Sequence, residues 1–167
     1  MSEAKTILEK LAAPFPSGRV HWRVGATNQK SEARKSGNQN APPTHGFALA
    51  YLDARDVMER LDEVCGAMWQ CRHDWSDGKR LQCSIGILIG DQWVWRSDGA
   101  GDTNMEAEKG AFSGAFKRAA VQWGIGRYLY SVPAPWVELS NKQIPTEQQK
   151  QLQERLDAWQ RKMFGGE

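Results

Sequence analysis

Long apolar runs are missing from this chain. No stretch approaches the twenty or so apolar residues of a membrane span, and the start, MSEAKTILEKLAAPF, carries acids where a secretory signal has a hydrophobic core. Cysteine is scarce, with three residues, Cys65, Cys71 and Cys83, and no C-x-x-C spacing. An odd, unspaced set of thiols argues against a disulfide framework and fits a reduced, cytoplasmic protein. Of the ligand-forming residues, Cys65, Cys71, His73 and Cys83 are the one cluster to test for zinc. Without the two-residue cysteine spacing, buried thiols beside a histidine explain it more simply.

Nucleotide and catalytic signatures are equally scarce. No G-x-x-x-x-G-K-[ST] loop is present, which excludes a Walker phosphate cradle. Gly99-x-Gly101 lacks the rest of a dinucleotide fingerprint. Asp74, Asp77, Asp91, Asp98 and Asp102 all sit near turns, where aspartate is common, and no carboxylate pair has a diagnostic spacing. No enzyme is expected from these residues, and no cofactor or metal.

What is present is a globular composition, with 40% hydrophobic residues and a net charge of only +2. The sum matters less than the distribution. Acids gather in 53–63 and 138–157. Basic residues form two groups: Arg19, Arg23, Lys30, Arg34 and Lys35, then Lys109, Lys117, Arg118 and Arg127. Between Lys109 and Val137 there is no acid at all. Eight tryptophans are many for 167 residues, and they read as core residues, interface anchors or stacking platforms for bases.

Periodicity predicts an α+β chain. Residues 3–12 make a helix that Pro14 and Pro16 end. Residues 19–26 alternate as a strand, with Val20, Trp22 and Val24 on one side and His21 and Arg23 on the other. Residues 27–44 are polar, hold Gly37 and Pro42–Pro43, and read as a long mobile loop. A strand follows at 46–51, then a helix that Asp53 and Asp56 cap reciprocally. Residues 69–75, 80–89 and 92–99 form an antiparallel meander, with turns at Asp77–Gly78 and Gly90–Asp91. Leu81, Cys83, Ile85, Ile87 and Ile89 fall on one face of the second of these strands. A helix spans 105–130, opened by Asp102, Thr103 or Asn104, with Phe112, Phe116, Ala119 and Trp123 on its packed face. A last helix spans 146–163, opened by a Thr146–Gln149 box. The domain reading is 1–137 for the main unit and 138–167 for a C-terminal helical segment.

Lys117 and Arg118 project off the packed face of the long helix. No acid lies one turn away to pair them, and Ser113, Gly114 and Ala115 leave room for a close approach. A solvated helix back and a phosphate-binding cluster are both consistent with that pattern.

The strings YLDARDVMERLDEVCGAMWQ at 51–70 and GAFKRA followed by WGIGRYLY, in this order of elements, resemble the Rad52/Rad22 family of single-strand annealing proteins in its compact phage and bacterial form, over about residues 11–137. The resemblance implies a β-β-β-α core, subunits closed into homo-oligomeric rings, and a groove holding single-stranded DNA by its backbone with the bases displayed. It implies ATP-independent annealing of complementary strands in recombination and double-strand break repair. Lys117 and Arg118 match the family's backbone-binding pair, and Arg23 a family arginine on the strand before the first loop. Arg127 and Lys109 belong to the same basic group. Lys30, Arg34 and Lys35 are candidates for secondary DNA contacts from a basic flap. The family's outer DNA site uses lysines ahead of the long helix, where this chain has Asp98, Asp102, Glu106 and Glu108; Lys79 or Arg80 are the candidate substitutes. A single-strand-binding protein or a recombinase is the partner class implied. A passive single-strand binder and a non-DNA oligomeric scaffold remain the alternatives.

Overall fold

A computed structural model describes residues 3–76, 80–99 and 108–165, with the side chains of Ser76, Glu108 and Lys109 left out. The expected Asp77–Gly78 turn, the capping residues 102–104 and Lys79 therefore lie outside the described residues. The chain is α+β, with five α-helices and two antiparallel three-stranded sheets among the described residues. It divides into two compact units, Met1–Ala13 with Leu52–Tyr128, and Pro14–Tyr51 with Leu129–Glu167. Position 137, the boundary read from the sequence, lies within the strand Trp136–Glu138. None of the helices is long and apolar enough to cross a membrane, among the described residues.

The first unit holds α1 (Glu3–Ala12), α3 (Ala54–Cys65), β3 (Trp69–Ser76), β4 (Arg80–Ile89), β5 (Gln92–Gly99) and α4 (Glu108–Gln122). The meander is as expected, in the order β3-β4-β5. Leu81, Cys83, Ile85 and Ile87 are buried at alternate positions, and α4 packs against β4 and β5. Ala111, Ala115, Phe116, Ala119 and Ala120 form the buried stripe of that helix, and Trp123 continues it just past the helix end. The Trp123 indole also donates to the Ile85 carbonyl at 3.0 Å, so the largest core residue leaves no polar atom unsatisfied.

Two details of the long helix differ from expectation. The helix ends at Gln122, not 130, because Gly124 and Gly126 take positive φ (94° and 68°) and a 3-10 turn, Arg127–Ser131, follows. A side chain at Gly124 would also press on Ala12, whose Cβ lies 3.1 Å from its ideal Cβ position. Phe112 is not on the packed face: it is 44% exposed, with its ring against His73 (5.0 Å) and Trp75 (6.1 Å).

In α3 the reciprocal Asp53–Asp56 capping box forms. Two polar residues of that helix are unexpectedly buried, Asp56 and Arg60. The Arg60 guanidinium donates to the carbonyls of Lys10, Leu11 and Ala13 (3.3, 3.2 and 2.6 Å) and so closes the C-terminal end of α1.

The second unit holds β1 (His21–Thr27), α2 (Gln29–Ser36), β2 (His45–Tyr51), β6 (Trp136–Glu138) and α5 (Thr146–Phe164), with sheet order β1-β2-β6. Segment 27–44 is not a loop throughout: residues 29–36 form α2, which Gly37 ends with φ 67°. The Asn28 side chain anchors it, accepting from the Thr44 and His45 amides at 3.0 Å each and donating to Thr44 Oγ1 at 2.8 Å. These bonds tie the start of α2 to residues sixteen and seventeen further along the chain, in a segment that has no apolar stripe. The α5 helix packs Leu152 into a core with Ala48, Leu139 and Ile144, beside Trp22, Val24 and Val137. Its expected Thr146–Gln149 box is absent; Pro145 is the cap, and the Gln149 amide side chain donates to the Ile144 carbonyl at 2.9 Å.

Candidate nucleic-acid interface

The open side of α4 is built from small residues and cations. Gly110 and Gly114 lie one turn apart, and a Cβ at either would meet nothing within 4 Å. Lys117 follows Gly114 by three residues, which places it on the same side of the helix. Lys117 is half-buried and Arg118 exposed.

Arg118 has a partner that the helix sequence does not reveal. Asp98, at the end of β5, accepts from Arg118 Nε at 3.4 Å and from Gln122 Nε2 at 3.2 Å, and its Oδ1 accepts from the Gly99 amide at 2.7 Å. Burial works against ionisation of Asp98, yet the bonds from Gln122 and Gly99 and the nearby Arg118 charge outweigh it and hold the carboxyl below its ordinary range. The pair is a surface contact, with the Arg118 side chain 56% exposed. Such pairs contribute about 0–1 kcal/mol, so an incoming phosphate can compete for the guanidinium.

Arg127 is occupied differently. Its guanidinium donates to the carbonyls of Val121 (3.0 and 2.8 Å) and Gln122 (2.9 Å), which caps α4 at its C-terminal end. Arg96, which the sequence gave no reason to single out, adds a second donor to Gln122 at 2.6 Å and lies over the Trp123 ring at 4.4 Å. Lys109 is the second residue of α4, and its side chain is outside the described set. Arg80 opens β4 and is exposed.

Arg23, Lys30, Arg34 and Lys35 belong to the other unit. Arg23 is exposed on the outer face of β1, as its alternation with Trp22 and Val24 predicts. Lys30, Arg34 and Lys35 are exposed on α2, where Lys35 pairs with Glu32 at 2.9 Å. The structure thus brings Lys117, Arg118 and Arg127 onto one helix and its terminus, and groups the other four in the second unit.

The three cysteines differ in their surroundings. Cys83 is fully buried, Cys71 exposed and Cys65 half-buried. Burial pushes the Cys83 thiol up to about 12, with Cys71 beside it adding to the effect, so it stays protonated at neutral pH.

Comparison with known proteins gives the family. The chain is 38% identical over 136 residues to the single-stranded DNA-binding protein DdrA of Deinococcus radiodurans, covering 79% of this chain and 58% of that protein. It is 38% identical over 136 residues to the Deinococcus deserti protein of the same name, covering 78% of this chain and 60% of that one. The chain therefore spans about three-fifths of the length of these curated relatives. No solved structure matches it. Residues 3–150 match the family described as Rad52/22 family double-strand break repair protein, nearly the whole chain, and by that match this protein belongs to the Rad52/22 family.

Proposed function

We propose that the protein binds single-stranded DNA through the Lys117–Arg118 side of α4 and anneals complementary strands in double-strand break repair, without ATP. The observation that carries the reading is an open helix side where two glycines clear the approach to adjacent cations. Phosphate groups need donors of that kind and read no sequence through them. Annealing makes and breaks no covalent bond; holding a strand by its backbone leaves the base edges free to test a complement. Family membership and the name of the DdrA relatives support the DNA-binding part. Arg23 and the α2 cations are secondary contacts in this reading. Arg127 serves α4 first, as the cap that keeps the helix end intact. A homo-oligomeric ring is the assembly that this family membership suggests.

The test is a filter-binding titration of single-stranded DNA across a salt series for Lys117→Ala/Arg118→Ala. Affinity should fall, and losing two phosphate contacts should flatten the log K against log salt slope by about 1.4. A folded double variant with wild-type affinity and slope overturns the site. The relatives' name favours one other reading, a passive single-strand binder. Complementary-strand annealing measured at matched occupancy separates the two: a bound protein that leaves the pairing rate unchanged is passive.

A further inference from the structure

The outer face of the β1-β2-β6 sheet carries two exposed aromatic rings among its polar side chains, where a solvated sheet face is normally polar. Phe47 and Trp136 are direct cross-strand partners. Their rings meet edge to face at 4.8 Å, yet they remain 42% and 48% exposed. His45 lies nearly parallel to the Trp136 ring, at 8° and 6.4 Å. On the β1 side, the ladder is irregular between Val24 and Thr27, where only Gly25 and Ala26 intervene. No large side chain from β1 therefore stands beside Phe47.

A second, independent feature sits at the same end of the sheet. The Asn28 bonds to Thr44 and His45 fix the start of α2 beside the start of β2. That helix brings Lys30, Arg34 and Lys35, and Arg23 lies on the same outer sheet face. Among the described residues no carboxylate pairs with Arg23, Lys30 or Arg34. Glu138 stands opposite His45 in the ladder. Exposed rings on a sheet face that also carries Arg23, with the unpaired Lys30 and Arg34 on the helix anchored at that end of the sheet, suit a chain of alternating aromatic bases and phosphates. A neutral apolar partner would leave those cations without counter-charge.

We infer that Phe47 and Trp136 form a base-stacking platform for single-stranded nucleic acid, with Lys30, Arg34 and Arg23 taking the adjacent phosphates. The inference rests on the proposed single-strand binding and adds to it a contact with bases, on a unit other than the one that carries α4.

The experiment compares an ordinary single-stranded oligonucleotide with an abasic strand of the same length, which keeps the phosphates and lacks the bases. The variant is Phe47→Leu/Trp136→Leu, which keeps apolar bulk on the strands and removes the ring faces. Its folding is checked by thermal melting, and its assembly by light scattering. The double variant should lose about 5- to 150-fold in affinity for the ordinary strand, the range that one stacked base supplies. Its affinity for the abasic strand should not change. Wild-type affinity of the folded variant for both strands overturns the platform and leaves the proposed function standing. An equal loss for both strands, together with a changed oligomer mass, overturns it in favour of a contact between copies of this chain. A wild-type protein that binds neither strand refutes the proposed function, and the platform with it.

Discussion

Asp98 shows how one residue links the fold to the proposed site. It holds Arg118 and Gln122 from outside the helix that carries them. Asp98→Asn should weaken that hold and raise affinity for single-stranded DNA, read by the same titration at fixed salt. The pH dependence has a definite sign. The folded carboxyl is depressed below the unfolded value of about 3.9. Its stabilisation is therefore present above that value and lost as pH falls through the folded pKa. The gap in melting temperature between wild type and Asp98→Asn should be full at pH 7 and close below about pH 4. A gap that widens in acid would contradict the assigned partners. Arg60 makes a parallel case in the core. Truncation to Ala leaves three carbonyls at the end of α1 without their donor and should cost about 1–3 kcal/mol in denaturant unfolding.

At the scale of elements, the faces of α4 and β4 make the sharpest tests. Phe116 is 2% exposed and Phe112 is 44% exposed. Phe116→Ala should cost about 3–5 kcal/mol, the range for a buried phenylalanine. Phe112→Ala should lose only the ring contacts with His73 and Trp75, about 0.5–1.5 kcal/mol. Equal costs in urea unfolding would return Phe112 to the packed face. The glycines separate in the same way. An added methyl at Gly114 meets open space, so Gly114→Ala should stabilise the helix by about 0.5–1 kcal/mol. An added methyl at Gly86 would lie 2.8 Å from three atoms of the Trp95 indole. That ring lies against the glycine under the Arg72 guanidinium, 4.3 Å from its centroid. Gly86→Ala must push it away, and should lower the melting temperature where Gly114→Ala raises it.

At the scale of the whole molecule the sheet edges and exposed rings bear on assembly. The β3 and β5 strands are the edges of their sheet, and exposed edges are hazards unless something covers them. Trp75, Trp93 and Phe112 are all more than 40% exposed within the same unit. Together with the family, these features lead us to expect a large homo-oligomer at micromolar concentration. Light scattering that returns a monomer mass, with and without DNA, would refute it.

The sequence by itself determined the elements whose pattern is local and periodic. The alternation of Leu81, Cys83, Ile85 and Ile87 set the buried face of the meander, and the Asp53–Asp56 spacing set a helix start, because side-chain direction repeats every two residues in a strand and caps act within one turn. The Lys117–Arg118 pair and the family were legible for the same reason, as short strings at fixed spacing. Tertiary structure decided what depends on groups distant in the chain. Helix α2 has no apolar stripe to announce it, and its anchor is a side-chain bond across sixteen residues, from Asn28 to Thr44. The three-residue β6 is too short to show alternation and exists because Phe47 and its neighbours on β2 pair with it. Arg127 reads in sequence as one more cation, and only the spent carbonyls at the end of α4 make it a cap. Whether Arg118 stood alone was likewise beyond the helical repeat, since its partner Asp98 lies twenty residues away and meets it only when β5 and α4 pack.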